Sequence, residues 1–320
     1  MIQYHTLLRE ILSEGTWREN RTGIRTISLP GAMMRFDLCK GFPAITTRKL
    51  AFRSVIGELV GFLRGYTNAA DFREIGCNVW DMNANRSAAW LANPYRTGED
   101  DLGPIYGKQW RKWPAYKIMT RSKKQKVINS LDDLGYAQLC SFGYDEYTDM
   151  VVMARLIDQL AECVNTIMSN PLDRRILFHA WNPANIEQMA LPPCHVLYQF
   201  LPNPEYGQLS MTVYLRSNDM GLGAPFNIAE SAAMLHLASR ITGYNPSWLT
   251  IFIGDAHIYE NHLPMVRTVL ERDPLPMPRL VLSDRIPVGG GAEWLDLVGP
   301  EDFVLEGYQH HDPISTPMAV

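Results

Sequence analysis

Apolar positions recur at helical spacing over residues 4–14, where Leu7, Leu8, Ile11 and Leu12 share one face, and the pattern predicts a first helix. The same period returns over 52–66, with Val55, Leu59, Phe62 and Leu63 forming the apolar stripe. It predicts a further helix over 150–168, ending before Asn170-Pro171. Residues 228–242 are alanine-rich and largely apolar, as a buried helix would be. Short alternating or apolar runs predict strands at 26–29, 176–181, 196–200, 209–215 and 250–254, with a turn over 202–207. The segments 76–81 and 101–111 read as loops dense in aromatic rings, and 83–100 as a polar stretch carrying Trp90. Rings on loops suit binding surfaces, although Trp90 can equally serve as a loop anchor. Residues 117–147 show little periodicity and include the basic run 121–126, the make-up of a solvated surface insertion. Strands interleaved with helices, without a repeat or a linker, predict one α/β domain over 1–320 with a mixed sheet and an insertion at about 117–147.

Composition changes this picture little. With 46% hydrophobic and 20% charged residues, the 320-residue chain has the make-up of a globular protein able to bury a large core. A formal net charge of -4 supplies no bulk attraction to nucleic acid, so any anion site has to be built locally. The first residues lack the cationic and apolar regions of a signal peptide, and no apolar run approaches the roughly 18 residues of a membrane span. Five scattered cysteines, an odd set without a CxxC pair, argue for reduced thiols in a cytoplasmic setting and against a zinc site or a disulfide framework.

The densest chemistry lies in Met189-Ala-Leu-Pro-Pro-Cys-His195, where two prolines restrict the backbone just ahead of a thiol. A buried structural cysteine fits this pattern. So does a nucleophile, provided that a cation lowers the thiol pKa. Arg21 sits in the polar turn Arg18-Glu-Asn-Arg-Thr-Gly23, Arg174 and Arg175 precede a predicted strand, and Arg216 follows one with Ser217 beside it. Four arginines at turns and strand ends can hold a phosphate dianion and lower the pKa of a nearby thiol. Glu58 borders the apolar face of its helix, where a carboxylate is costly unless paired, and is therefore a candidate general acid or base. Asn227 offers a donor and an acceptor in one plane, suited to the edge of a uracil-like base. His257 and Tyr259, two apart on an extended segment, face the same way and can hold a ribose hydroxyl. Together these groups describe a nucleotide-modifying enzyme.

Eleven stretches, in this order, resemble the thymidylate synthase family. They are Arg21-Thr-Gly, Phe42-Pro-Ala-Ile-Thr-Thr, Ile56-Gly-Glu-Leu, Trp80-Asp, Leu102-Gly-Pro-Ile-Tyr-Gly-Lys-Gln-Trp-Arg, Asp173-Arg-Arg, Pro193-Cys-His, Arg216-Ser-Asn-Asp, Pro225-Phe-Asn-Ile-Ala, Asp255-Ala-His-Ile-Tyr and the terminal Pro-Met-Ala-Val. The resemblance implies a single three-layer α/β catalytic domain that forms a homodimer through the face of its sheet. It implies that Cys194 attacks C6 of deoxyuridylate (dUMP) and that Asn227 stabilises charge on the ring. Glu58 would shuttle protons through water, with Tyr106 and His195 positioning that water and Asp219 counted with the catalytic set. Arg21, Arg216 and Ser217 would bind phosphate, joined by Arg174 and Arg175 of the partner subunit. Trp80, Asp219, Leu222, Gly223, Phe226 and Val320 would line the side that takes 5,10-methylenetetrahydrofolate. No metal, membrane or nucleic acid enters this scheme.

The sequence departs from the family's pattern at three places. Asn83 stands where many members have a second tryptophan, Leu215 where a glutamine commonly precedes the Arg-Ser step, and Glu230-Ser231 in place of a Ser-Tyr pair. These changes fall near the folate and the water network. Hydride transfer would give thymidylate (dTMP), whereas capture by water would give 5-hydroxymethyl-dUMP, as in related hydroxymethylases. A non-catalytic relative that binds nucleotide or RNA is the third reading, against which the full catalytic set and the negative charge both speak.

Overall fold

The computed structural model describes residues 1–142 and 149–316. The first apolar stripe forms α1 (Ile2–Glu14), which buries Tyr4, Leu7, Leu8 and Ile11. Strand β1 (Thr16–Arg18) pairs antiparallel with β2 (Thr26–Asp37), on which α1 lies. The second stripe forms α2 (Phe52–Leu63), buried along almost its whole length, Glu58 included. After α3 (Ala69–Glu74), the stretch read as aromatic loops holds three short helices, α4 (Asp81–Asn85), α5 (Ala88–Leu91) and α6 (Tyr106–Arg111). Trp90 is an anchor and not a binding surface: its ring is buried and its indole N–H donates to the Asp101 carbonyl at 2.7 Å.

The helix expected over 150–168 is a correction. Its first half is a strand that belongs to a small antiparallel sheet of β3 (Trp113–Thr120), β4 (Ala137–Phe142) and β5 (Met150–Ile157), in the order β3-β5-β4. Val151 and Met153 point alternately inward to meet Met119, Leu131 and Tyr136, and this period-2 burial outweighs the helical reading of a short apolar run. Asp158 then accepts from the Ala161 N–H at 2.9 Å and starts α8 (Gln159–Ser169). The basic run of the tract at 117–147 opens α7 (Arg121–Asp133), whereas residues 143–148 lie outside those described.

The large sheet takes β6 (Leu177–His179), β7 (His195–Asn203), β8 (Gln208–Leu215), β9 (Asn218–Asp219) and β10 (Asn245–Tyr259). Its order is β1-β2-β10-β8-β7-β6, with β9 beside β10. β10 runs antiparallel to β2 and parallel to β8 and β9, so the sheet is mixed, as the pattern predicts. One row crosses five strands through Met34, Ile251, Val213, Tyr198 and Phe178, all buried. The next row, on the other face, exposes Met33, Phe252 and Tyr214 at 55%, 42% and 42%. Helix α9 (Gly223–Thr242) covers the inner face, and α2 packs on α9, which gives three layers. After α10 (Leu263–Glu271), β11 (Arg279–Leu282) pairs with β12 (Phe303–Glu306) across α11 (Trp294–Leu297).

β10 runs five residues past the expected end at Gly254, which carries His257 and Tyr259 onto the sheet. Gly254 is there because nothing larger fits. A Cβ at this position would stand 2.8 Å from the Arg216 carbonyl oxygen, and the next N–H, that of Asp255, donates to the same oxygen at 3.1 Å.

Candidate active site

Cys194 is the last residue before β7, and two neighbours hold its backbone. Its N–H donates to the Tyr106 hydroxyl at 2.7 Å, and its carbonyl accepts from the Arg216 N–H at 3.0 Å. The Arg216 side chain returns over the same turn, donating to the Pro193 and Pro192 carbonyls at 2.9 and 3.0 Å. Its guanidinium then stands 3.8 Å from the Cys194 sulfur. The thiol lines a cavity of about 610 Å³ where the ends of β7, β8, β9 and β10 meet α2, α6 and the start of α9.

Arginine was expected to lower the pKa of this thiol. Arg216 and Arg21 do pull it down, as does the Tyr106 hydroxyl, but burial outweighs them and the thiol lies above its ordinary value. The arginines act in the expected direction, but a sequence displays charges and not the desolvation they must overcome.

One end of the cavity is polar. Arg21 rides on a turn organised by Asn20, whose Oδ1 accepts from the Thr22 N–H and hydroxyl at 2.9 and 2.6 Å and whose amide donates to the Ile24 carbonyl at 2.7 Å. Ser217 Oγ and His257 Nδ1 are 3.4 Å apart, and the His257 ring meets Tyr259 edge-on at 5.2 Å.

The opposite end is dry only in the sense that its ionisable groups, Glu58, Glu230 and His195, are buried from bulk solvent. Burial pushes the Glu58 carboxyl up to about 8. The Trp80 indole N–H draws it back while lying outside hydrogen-bonding geometry, so that N–H is a buried donor without a partner among the described residues. His195 is 2% exposed and kept neutral, its pKa brought down to about 3 by burial; the ring stacks on Tyr198 at 5.7 Å and meets Tyr106 edge-on at 6.2 Å. Asn227 and Phe226 project from the first turns of α9, with Leu222 and Gly223 at its start. Asp219 Oδ1 accepts from the Gly221 N–H at 2.9 Å, which fixes the chain on its way into that helix.

Fifteen candidate residues thus share one cavity: Arg21, Glu58, Trp80, Tyr106, Cys194, His195, Arg216, Ser217, Asp219, Leu222, Gly223, Phe226, Asn227, His257 and Tyr259. Arg174 and Arg175 do not line it. Both are exposed, and Arg175, with its side chain 86% exposed, folds onto Asp173 through contacts of 2.6 and 2.9 Å. Val320 lies outside the described residues. The sequence reading missed Arg48 and Lys49, which line the cavity directly after the Phe42-to-Thr47 stretch; Arg48 donates to the Gly221 carbonyl at 2.8 Å. Two adjacent cations at the end of a family-like stretch were the available signal. Glu230, noted only as a departure, lines the cavity too.

Among the described residues no group of three histidine, cysteine or acidic side chains is placed to hold a metal ion, and no helix is long and apolar enough to cross a membrane. The family model described as Thymidylate synthase matches residues 2–320. A curated protein named Thymidylate synthase from Bordetella parapertussis is 58% identical over an alignment of 325 residues that covers the whole of both chains. Proteins of the same name from Pseudomonas putida and Pseudomonas syringae pv. tomato are 56% and 55% identical, again over the full length of each. The chain belongs to the thymidylate synthase family.

Proposed function

We propose that this protein methylates dUMP at C5 to give dTMP, with methylenetetrahydrofolate as co-substrate. The observation that carries the reading is the meeting of Cys194, Arg216, Asn227 and Glu58 around one cavity, with the guanidinium 3.8 Å from the thiol. Arg21, Arg216 and Ser217 bind the phosphate dianion at the polar end. The Cys194 thiolate adds to C6, and Asn227 pairs with the edge of the uracil ring, where negative charge develops. Glu58, which burial keeps protonated near neutral pH, moves protons to and from the ring through water, and Tyr106 holds the nucleophile's backbone. His257 and Tyr259 hold the sugar hydroxyl.

The folate fits the other side. Trp80, Val79, Leu222 and Phe226 supply an apolar wall, Asp219 a carboxylate, and the Trp80 N–H and Asn218 amide are buried donors without partners among the described residues. When bound, the folate supplies the one-carbon unit and the hydride. Two chains associate through the outward sheet face that carries Met33, Tyr214 and Phe252, and Arg174 and Arg175 serve the partner's phosphate site. Their exposure and their distance from their own cavity support this arrangement. Five unpaired cysteines support a cytoplasmic setting.

The relatives' names favour the methyl product over the hydroxymethyl one. The test is the rise in absorbance as dihydrofolate forms, together with the mass of the nucleotide. A product one oxygen heavier than dTMP, with no dihydrofolate, overturns the reading.

A further inference from the structure

Glu230 lies one helical turn beyond Asn227 on α9, so both side chains leave the helix on the same side, toward the cavity that both line. It is 1% exposed, and neither carboxylate oxygen has a hydrogen-bond partner among the described residues. Around it α9 buries Ile228, Ala229, Ala232, Ala233, Met234 and Leu235, so packing alone gives no reason for an acid here. Glu58 reaches the same cavity from α2, the helix packed on α9. No lysine or arginine among the described residues pairs with either acid.

The other titratable groups that act on the pair are neutral. Burial raises Cys77, ahead of α4, to about 12, raises Cys194, ahead of β7, against the pull of Arg216 and Arg21, and lifts Tyr106 of α6 and Tyr198 of β7 well above their ordinary values. His195 of β7 is held neutral by burial. Burial raises Glu230 as well, and the charge of Glu58 raises it further. Each of these two buried carboxylates opposes ionisation of the other, and they titrate as a unit.

We propose that Glu230 is a positioning residue for Glu58: in its acid form it donates a hydrogen bond through one water to the Glu58 carboxylate, and so sets when Glu58 takes up and gives back a proton. This rests on Glu58 as the proton shuttle. When Glu58 passes its proton to the substrate, the Glu230 O–H steadies the carboxylate left behind, and Glu230 itself neither gains nor loses a proton over the cycle.

Two substitutions test it. Glu230→Leu removes the donor, so the pH limb of kcat/KM that reports Glu58 should move upward by about half a unit or more. Turnover should fall about tenfold with the KM for dUMP within about twofold. Glu230→Gln keeps a donor of the same shape and should restore the limb and most of the turnover. It should also abolish an infrared carbonyl band of a buried protonated carboxyl in the ligand-free protein at pH 7, a readout open even to a poorly active variant. Profiles that superimpose on the parent's, a rise in KM alone, or a carboxyl band unchanged by Glu230→Gln would each overturn the proposal. Glu58→Gln is the control: if it kept a tenth of the parent's turnover, the shuttle itself would be wrong, whereas its inactivity beside an unaffected Glu230→Leu removes only the role given to Glu230.

Discussion

The two ends of the cavity handle charge in opposite ways. At the polar end the groups are permanent cations and hydroxyls, held by backbone carbonyls and short turns: Arg216 on Pro192 and Pro193, Arg21 on the turn tied by Asn20. At the dry end Glu58, Glu230 and His195 are ionisable groups whose burial suppresses the charged form of each. A charge at the first end is a property of the residue, and at the second it is a property of the surroundings. Cys194 stands where the two meet, pulled down by arginine and pushed up by desolvation, and desolvation prevails.

The comparison is broken most completely at the thiol. Cys194→Ser should lower turnover by about 10³-fold or more while dUMP still binds within a few-fold of the parent by calorimetry, because a hydroxyl is a far weaker nucleophile than a thiolate. Retention of a tenth of the turnover would remove covalent catalysis from the scheme. Arg216→Ala attacks both ends at once. Loss of charge-assisted contacts should weaken dUMP binding about ten- to hundredfold, and alkylation of Cys194 at fixed pH should slow because a cation that lowers its pKa is gone.

The third test sharpens the polar end by asking whether two chains build it. Arg175→Ala and Cys194→Ser, each inactive alone, should recover part of the activity when mixed, since one hybrid site then holds both intact residues. No recovery with hybrid dimers present would assign the arginines to their own chain. The smallest effect belongs to the dry end and is read in Tm. His195, with a pKa near 3 when folded against 6.5 when free, contributes stability that is complete above about pH 6.5 and eroded as the pH falls below it. The buried acids act with the opposite sign: raised above 4.5, they cost stability as the pH rises through their folded pKa values. Glu230→Gln should therefore gain in Tm relative to the parent as the pH rises from about 5 to 8, and a constant difference would mean that Glu230 does not titrate with folding.

Residues of the cavity could be found in the sequence wherever chemistry is local in the chain. Pro-Pro-Cys-His, Arg-Ser-Asn-Asp and Pro-Phe-Asn each bring their groups within a few positions, and each lines the cavity. Burial could not be read in this way, because it is decided by contacts between distant elements. That is why the direction of the Cys194 shift was missed, and why Glu230 looked like a mere deviation. Helical periodicity succeeded for α1 and α2 but failed at Met150–Ile157, where alternate side chains meet a small core built by a strand and a helix earlier in the chain. The predicted strand ends at Gly254, whereas β10 runs on to Tyr259 and the glycine marks a close approach of two backbones.

That approach also bears on how freely the protein can vary. Position 254 lines neither the cavity nor any proposed ligand contact, yet the methyl group of an alanine there would collide with the carbonyl of Arg216, whose side chain braces the turn before Cys194. Relief would require displacing Arg216, and with it the turn that carries Cys194. The tolerance of this site to substitution is therefore set by the chemistry of its neighbour, and a library of variants scored for activity should find 254 as intolerant as residues that touch the substrate.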